Sequence, residues 1–154
     1  MLLNQLITPE AVVSSLKVNT KKHALQELSD RAGSISGLPP REIFDALLQR
    51  ERLGSTGIGE GIAIPHGKLS QAQAIFGIFA RLARPIDFHA LDGVPVDLIC
   101  LLIAPESAGA DHLKALARMA RLLRDPKVTA KLRAARDVAG LYAVLTGERA
   151  SHAA

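Results

Sequence analysis

The stretch GSTGIGEGIAIPHG, residues 54–67, decides how this chain is interpreted. Four of its first eight residues are glycines, which predicts a loop whose backbone makes close approaches or adopts positive φ. Residues 62–64 then predict a short buried strand, and Pro65 fixes the backbone immediately before His66. We expect His66 to be presented from a turn for chemistry. The alternative is a structural glycine loop that the histidine only caps.

The composition predicts one domain with an aliphatic core. The chain has 154 residues, of which 48% are hydrophobic but only 3% aromatic, so Leu, Ile, Val and Ala must form that core. We expect a single domain over residues 1–148 and a frayed tail at residues 149–154. The only cysteine, Cys100, lies in an apolar run and is predicted to be buried without a disulfide.

No segment of the sequence predicts insertion into a membrane. The longest strongly apolar run, residues 98–104, is too short to cross a bilayer. The N-terminus, MLLNQLITPE, lacks the basic start and long apolar region of a secretory signal. We therefore expect a cytoplasmic protein.

The net charge of +4 does not predict a nucleic-acid partner. The basic residues have no interleaved aromatics and form no zinc-finger or RNA-binding motif. Their local excess lies between residues 114 and 136, and four of them fall on one side of a predicted helix: Lys114, Arg118, Arg121 and Arg124. That row is either a solvated face or a docking surface for an acidic partner.

Hydrophobic periodicity and capping residues predict helices that precede, separate and follow strands. Strands are predicted at residues 12–16, 62–64, 74–82 and 94–104. Helices are predicted from Asn19 or Thr20 to Gly33, from Pro39–Pro40 to about Leu53, from Asp111 to Arg124, from Asp125–Pro126, and from Asp137 to Leu145. The fold class is therefore α/β, with helices on both faces of one small sheet.

Two predictions concern the packing of these elements. The strand at residues 94–104 is apolar on both faces, which predicts an internal strand covered on both sides. The helix that begins at Asp111 is predicted to bury one stripe of side chains: Leu113, Leu116, Ala117, Ala120 and Leu123.

Three chemistries could use His66. A metal site needs further ligands at recognisable spacing, but the five histidines form no HxxxH motif and no CxxC is present. A hydrolase would pair His66 with Ser55 and Asp92, but the chain has no GxSxG elbow. The third chemistry makes the histidine itself a nucleophile that carries a covalent group.

The surroundings of His66 favour a phosphoryl group. Glycine-rich backbone and the hydroxyls of Ser55 and Thr56 offer donors to an anion. Arg50 lies at the end of the preceding helix, within chain reach of the loop. His112 lies at a helix N-terminus, where the backbone dipole favours an anion and a neutral imidazole.

The segment ERLGSTGIGEGIAIPHG, residues 51–67, resembles the active-site signature of the fructose/mannitol-type enzyme IIA domains of the bacterial phosphoenolpyruvate-dependent phosphotransferase system. The resemblance extends over nearly the whole chain, including residues 44–50, 93–105 and 111–113. Within the family the chain is most similar to the nitrogen-related branch of stand-alone regulatory enzymes IIA. The fold that this resemblance implies is a mixed β-sheet sandwiched between helices.

The resemblance also implies roles for individual residues. His66 matches the histidine that accepts the phosphoryl group on Nε2, and His112 matches the histidine that helps to hold it. Arg50 matches an arginine near that site, although an exposed helix-end salt bridge is an equal interpretation. Ser55, Thr56 and Gly67 are supporting loop positions. No metal or cofactor is implied.

The implied function is that of a phosphoryl-carrier regulatory protein. Its donor would be a histidine phosphocarrier protein (HPr-like or NPr-like), docking on an apolar rim of Ile58, Ile62 and Leu69. Its targets would be regulated proteins such as sensor kinases or transporters. Two alternatives stay open: an enzyme IIA that passes the group to an enzyme IIB for sugar uptake, and a binding module that is never phosphorylated. The oligomeric state is also open.

Three histidines and one aspartate are given no role at the site. His23, His89 and His152 are expected at the surface. Asp97 interrupts the central apolar strand, where a buried carboxylate needs partners. It either orients a catalytic group or lies at the end of the strand.

Overall fold

The sheet is organised around its most apolar strand, as the sequence predicts. In the computed structural model, which describes residues 3–147, β6 (Val96–Pro105) lies inside a six-stranded mixed sheet. It pairs antiparallel with β5 (Phe76–Ile86) on one side, and eight of its ten residues are buried. The predicted internal strand is confirmed.

The remaining strands extend the sheet from these two. β1 (Val12–Leu16) lies parallel to β5 at one edge. On the other side of β6, β3 (Ile62–Ala63) and β4 (His66–Leu69) both run parallel to it, one after the other, and β2 (Gly57–Gly59) closes that edge antiparallel to β3. The glycine-rich segment thus forms a small hairpin attached to the central strand.

Helices cover both faces of this sheet. The helices are α1 (Leu3–Leu6), α2 (Lys21–Ser36), α3 (Pro40–Arg52), α4 (Ala110–Leu123), α5 (Pro126–Ala134) and α6 (Val138–Thr146). The pair α2–α3 packs against β5 and β4, and the group α4–α5–α6 packs against β6 and β1. This is the predicted α/β fold with a mixed sheet sandwiched between helices.

Side-chain caps begin three helices at the predicted places. Thr20, Asp125 and Asp137 each accept a hydrogen bond from a backbone N–H in the first turn that follows. Each such cap is worth about 1 kcal/mol relative to alanine. The last helix ends at Gly147, which adopts the left-handed conformation with a φ of 77°.

The predicted end of α2 at Gly33 is wrong. The helix continues to Ser36 and ends before Gly37, whose φ of 78° provides the left-handed cap. Gly33 is buried inside the helix, and a Cβ there would lie 2.6 Å from Cγ of Pro40. The glycine is therefore needed for the close contact between α2 and the start of α3.

The predicted buried face of α4 is wrong at two of its five positions, whereas Leu123 is buried and Leu116 and Ala120 pack against the core as predicted. Leu113 and Ala117 are exposed, and the residues that α4 buries are His112, Ala115, Met119 and Leu123. The helix begins at Ala110 after Gly109, so Asp111 lies in its first turn and does not cap it. The consequence is that the helix turns a histidine inward.

Two side chains of β6, the thiol of Cys100 and the carboxylate of Asp97, have well-defined partners. Cys100 is buried beside Met119, with 3.4 Å between the two sulfur atoms, and burial raises the pKa of its thiol to about 12. Asp97, near the start of β6, receives two hydrogen bonds of 2.9 Å from Arg133 of α5. Arg133 also donates to the Glu60 carbonyl at 3.0 Å. Asp97 thus lies at the end of the strand, and through Arg133 it is linked to the hairpin formed by β2 and β3.

Within residues 3–147, no helix has the length and apolar character needed to span a bilayer. The predicted frayed tail, residues 149–154, and His152 within it lie outside the described residues.

Candidate functional site

His66 is the first residue of β4, not part of a turn as predicted. Its backbone pairs with Leu102 of β6, so the central strand fixes its position. The next residue, Gly67, lies against α3, and a Cβ there would be 3.1 Å from the Ala46 Cβ. This close approach brings the end of α3, with Arg50, next to the histidine ring.

Both ring nitrogens of His66 have protein partners. Nδ1 lies 2.9 Å from the Ile64 carbonyl oxygen, which can only accept, so Nδ1 carries the proton. Nε2 lies 3.2 Å from Nε of Arg50, which can only donate, so Nε2 holds a lone pair. The same guanidinium donates through Nη1 to the Gly54 carbonyl at 2.8 Å. The neutral ring therefore presents Nε2 as its nucleophilic atom.

His112 faces this ring from the first turn of α4. The two ring centroids are 5.6 Å apart and the planes are tilted by 54°. His112 is 5% exposed, and among the described residues its buried Nδ1 has no hydrogen-bond partner. An unpaired buried nitrogen is costly in a finished structure, so this atom has capacity for a ligand.

Both histidines favour the neutral form. Burial lowers the pKa of His66, and Arg50 adds to this, while the hydrogen bond to the Ile64 carbonyl and the charge of Glu51 act in the opposite direction. The pKa of His112 is lowered first by burial, then by repulsion from His66 when that ring is protonated, and by the charge of Lys68. An uncharged imidazole keeps the lone pair that a nucleophile needs.

The two rings open into a basic cleft of about 380 Å³. Its lining residues are Ala46, Gln49, Arg50, Leu53, His66, Gly67, Lys68 and His112. Two cations and no carboxylate line it, which suits a small anion. Lys68 and Gln49 were not found from the sequence. Lys68 lies two residues after His66 on a strand, and that spacing places both side chains on one face.

Ser55 and Thr56 are not directed to the cleft. The Ser55 hydroxyl donates to the Phe88 carbonyl at 2.7 Å, and the Thr56 hydroxyl donates to the Glu51 carboxylate. Thus Arg50, His66, Gly67 and His112 come together at the cleft, whereas the two predicted hydroxyl donors are engaged elsewhere.

The predicted apolar rim is wrong. Ile62 and Leu69 are buried in the core, and Ile58 is packed against it. The exposed apolar side chains near the cleft are Leu53, which lines it and is 84% exposed, and Leu113, which follows His112 and is 66% exposed.

The other described histidines lie away from the cleft. His23 is half-buried on α2 and lies 3.4 Å from the carboxylate of Glu27. His89 is exposed in the loop before β6, with a φ of 56°. In the described part of the chain, no group of three or more His, Cys, Asp or Glu side chains is placed to hold a metal ion.

Comparison with known proteins gives consistent matches over almost the full length. The family model described as phosphoenolpyruvate-dependent sugar phosphotransferase system, EIIA 2, matches residues 5–147. A nitrogen regulatory protein of Bradyrhizobium diazoefficiens is 59% identical over 145 residues, which cover 94% of this chain and 95% of the relative. Nitrogen regulatory protein IIA-Ntr from Neisseria meningitidis has a TM-score of 0.89 at 33% identity, with 93% of this chain and 98% of that one covered.

A more distant solved structure shares the fold. It is the complex of mannitol enzyme IIA with phosphorylated enzyme IIB from Escherichia coli. The matched chain has a TM-score of 0.76 at 22% identity, with 92% of this chain and 99% of that one covered.

Proposed function

The chain belongs to the EIIA 2 family of the phosphoenolpyruvate-dependent sugar phosphotransferase system, and on this basis we propose that His66 is its phosphoryl-accepting residue. The relatives named nitrogen regulatory protein support a phosphoryl-carrier protein with a regulatory role. The phosphorylation state of His66 is then the signal, and target proteins detect it at the cleft.

The observation that carries this proposal is the fixed tautomer of His66. The Ile64 carbonyl holds the proton on Nδ1 at 2.9 Å, so Nε2 keeps its lone pair and faces the cleft that Arg50 and His112 also line. A histidine held in one tautomer by a backbone acceptor is prepared for attack without rearranging its protons.

In the transfer step, Nε2 of His66 attacks the phosphorus of a donor phosphohistidine. One N–P bond forms on Nε2 as the N–P bond of the donor breaks, and the electron pair of the broken bond returns to the donor nitrogen. The proton on Nδ1 stays there, held by the Ile64 carbonyl, so the phosphorylated ring carries a positive charge. The donor ring, protonated on its second nitrogen before transfer, leaves as a neutral imidazole. The 3.2 Å hydrogen bond from Nε of Arg50 to Nε2 of His66 must break in this step, because the Nε2 lone pair forms the new bond to phosphorus.

The basic lining stabilises the transferred group. Phosphoryl transfer depends chiefly on positioning and charge stabilisation, and the group adds about 1.5 to 2 negative charges near pH 7 if it resembles side-chain phosphates. Arg50 and Lys68 supply opposite charge. The unpaired Nδ1 of His112, when it carries the proton, donates to a phosphoryl oxygen.

The donor is a histidine phosphocarrier protein of the HPr or NPr kind, which docks over the cleft. Leu53 and Leu113 form the exposed apolar contacts beside the two histidines, and Lys68 adds a charge that such a partner meets. The targets are regulated proteins such as sensor kinases or transporters, which distinguish the phosphorylated cleft from the free one.

The test is intact-mass measurement after mixing with phosphoenolpyruvate, enzyme I and a phosphocarrier protein. We expect the wild type to gain one acid-labile phosphoryl group and His66→Ala to gain none. His23→Ala is the matched control, because it removes a histidine from α2 away from the cleft. A phosphoryl group on His66→Ala contradicts the assignment. No gain in the wild type, with the carrier phosphorylated, favours the binding module.

A second function, transport, is favoured by the mannitol enzyme IIA that was solved with phosphorylated enzyme IIB. To separate the two, the phosphorylated protein is mixed with purified enzyme IIB of the fructose and mannitol types. A regulator keeps its phosphoryl group under these conditions, whereas rapid loss to one enzyme IIB assigns the protein to sugar uptake.

A further inference from the structure

We propose that Glu51 is a positioning residue that sets the tautomer of His66 through Thr56 and Ile64. The proposal deepens the proposed function, because it concerns the ring that would accept the phosphoryl group. Glu51 lies in the last turn of α3 and touches neither ring of the cleft. Its charge acts on the His66 pKa through space, but any effect on the position of the ring's hydrogen-bond partner has to pass through the loop between α3 and β3.

Glu51 is a buried carboxylate whose two oxygens are both engaged. Its side chain is 3% exposed, and Oε1 lies 2.7 Å from Nζ of Lys21. Oε1 also accepts the Thr56 backbone N–H at 3.0 Å, and Oε2 accepts the Thr56 hydroxyl. A buried charge is tolerated when it is paired and hydrogen-bonded in this way.

Lys21 is itself held in place on the far side of this ion pair. Its Nζ lies 3.5 Å from the Phe88 carbonyl oxygen and 4.8 Å from the centre of the Phe88 ring. The carboxylate therefore has a fixed cation behind it and Thr56 in front of it, so Thr56 is held by both its backbone and its side chain.

One residue, Ile64, links Thr56 to His66 by hydrogen bonds. The Ile64 N–H donates to the Thr56 carbonyl at 3.0 Å, and the Ile64 carbonyl accepts the Nδ1 proton of His66 at 2.9 Å. Ile64 lies between β3 and β4, outside the strand ladders. Its orientation depends on the Thr56 bond, so displacement of Thr56 moves the carbonyl that holds the His66 proton.

A purely structural Glu51 would differ from a positioning Glu51 in what its loss changes. Removal of a structural ion pair lowers the free energy of unfolding and leaves His66 in its one tautomer. Removal of a positioning residue also weakens the hold of the Ile64 carbonyl on the Nδ1 proton. Only the Arg50 bond to Nε2 then favours the Nδ1–H form, so a fraction of the neutral ring adopts the other tautomer. The tautomer can be read in the free protein, with no phosphoryl donor present.

The experiment compares Glu51→Gln and Thr56→Val with Glu60→Gln by ¹⁵N NMR of the His66 ring, at a pH where the ring is neutral. Thr56→Val removes the hydroxyl and preserves the shape of the side chain. Glu60→Gln is the matched control, since Glu60 belongs to the same loop but its side chain is exposed. We expect wild type and control to show the Nδ1–H tautomer alone, and the other two to show a mixture.

Transfer kinetics from the phosphorylated carrier supply a second readout. We expect Glu51→Gln to lower the single-turnover rate of transfer about tenfold, because misplacement of a reacting group costs up to about a hundredfold. The half-saturating concentration of the carrier should stay unchanged because the docking surface is intact. Thr56→Val is expected to lower the transfer rate by less, since the backbone bond to Glu51 remains.

The two readouts keep this proposal separate from the proposed function. A wild-type tautomer in both Glu51→Gln and Thr56→Val overturns the positioning role, whatever happens to the phosphoryl group. If Glu51→Gln does not fold, Thr56→Val decides alone. A mixed tautomer in these variants, combined with a wild type that accepts no phosphoryl group, supports the positioning role and overturns the proposed function.

Discussion

His66 and His112 lie 5.6 Å apart, yet the protein holds them in opposite ways. His66 is bonded through both ring nitrogens, to the Ile64 carbonyl and to Arg50. His112 is held by burial on α4, and its Nδ1 finds no partner among the described residues. One ring is committed to a single tautomer, whereas the other keeps a free hydrogen-bonding group. The difference suits a nucleophile beside a residue that binds what the nucleophile receives.

The elements that carry the two rings explain this difference. β4 is fixed by its ladder with β6. Pro65, the residue that precedes β4, adds a further bond, because its carbonyl accepts from the Leu102 N–H at 2.9 Å. α4 starts after Gly109, with a φ of 54°, and offers backbone N–H groups at its first turn. A strand fixes the attacking atom, and a helix N-terminus disfavours a charged imidazole.

The largest effect that would sharpen this comparison is expected for His112→Ala. If His112 binds the phosphoryl group, its removal slows transfer to His66 about a hundredfold or shortens the lifetime of the phosphorylated form by a similar factor, as for loss of a preorganised donor. Single-turnover transfer and decay of the phosphorylated form measure this. Rates equal to those of His23→Ala would break the comparison, because His112 would then be a core residue only.

A smaller effect is expected in the pH dependence of the two rings. Burial is the largest cause of the lowered pKa of each, so both should titrate below 6.5 in NMR spectra of the folded protein. The unfolded chain binds these protons at higher pH, so stability is retained above 6.5 and falls as the pH drops below it. Urea unfolding between pH 8 and pH 5 tests the sign. A midpoint above 6.5 for either ring contradicts the neutral pair.

The smallest effect is expected for Ser55→Ala. Its hydroxyl donates to the Phe88 carbonyl and accepts from the Gly57 N–H, so its loss should cost about 1 kcal/mol of unfolding free energy. Transfer to His66 should change by less than about twofold, as for substitutions away from a site. A larger decrease in the transfer rate, measured by the same single-turnover assay, would show that Ser55 contributes to the phosphate site after all.

Local sequence signals account for most of the fold. The predicted starts of α5 and α6 were found because Asp125 and Asp137 cap them through their own side chains, an interaction within three residues of chain. The internal strand was found because continuous apolar character is a direct mark of burial on both faces. The prediction was wrong at Gly33 because a glycine is required there by close contact with Pro40 of another helix, and not by a helix end.

The sequence identified most residues of the candidate site, but it did not predict on which element each lies or which way its side chain is directed. The Pro65–His66 pair marked the ring, but its place on a strand depends on pairing with Leu102, which is distant in the chain. On α4, hydrophobicity favoured Leu113 for the core, whereas the fold buries His112 in its place. Thr56 turned from the cleft because Glu51, a buried acid with no predicted role, accepts both of its donors.

The burial of Cys100 has a consequence for labelling experiments. It is the only cysteine of the chain, and with its pKa raised to about 12 the thiol stays protonated at neutral pH, where thiolate-directed reagents leave it unmodified. A cysteine introduced in place of the fully exposed Leu91 would then be the single reactive thiol. The anisotropy of one fluorophore attached there would report the arrival and departure of a partner in real time, because the complex tumbles more slowly, with the native sequence otherwise unchanged.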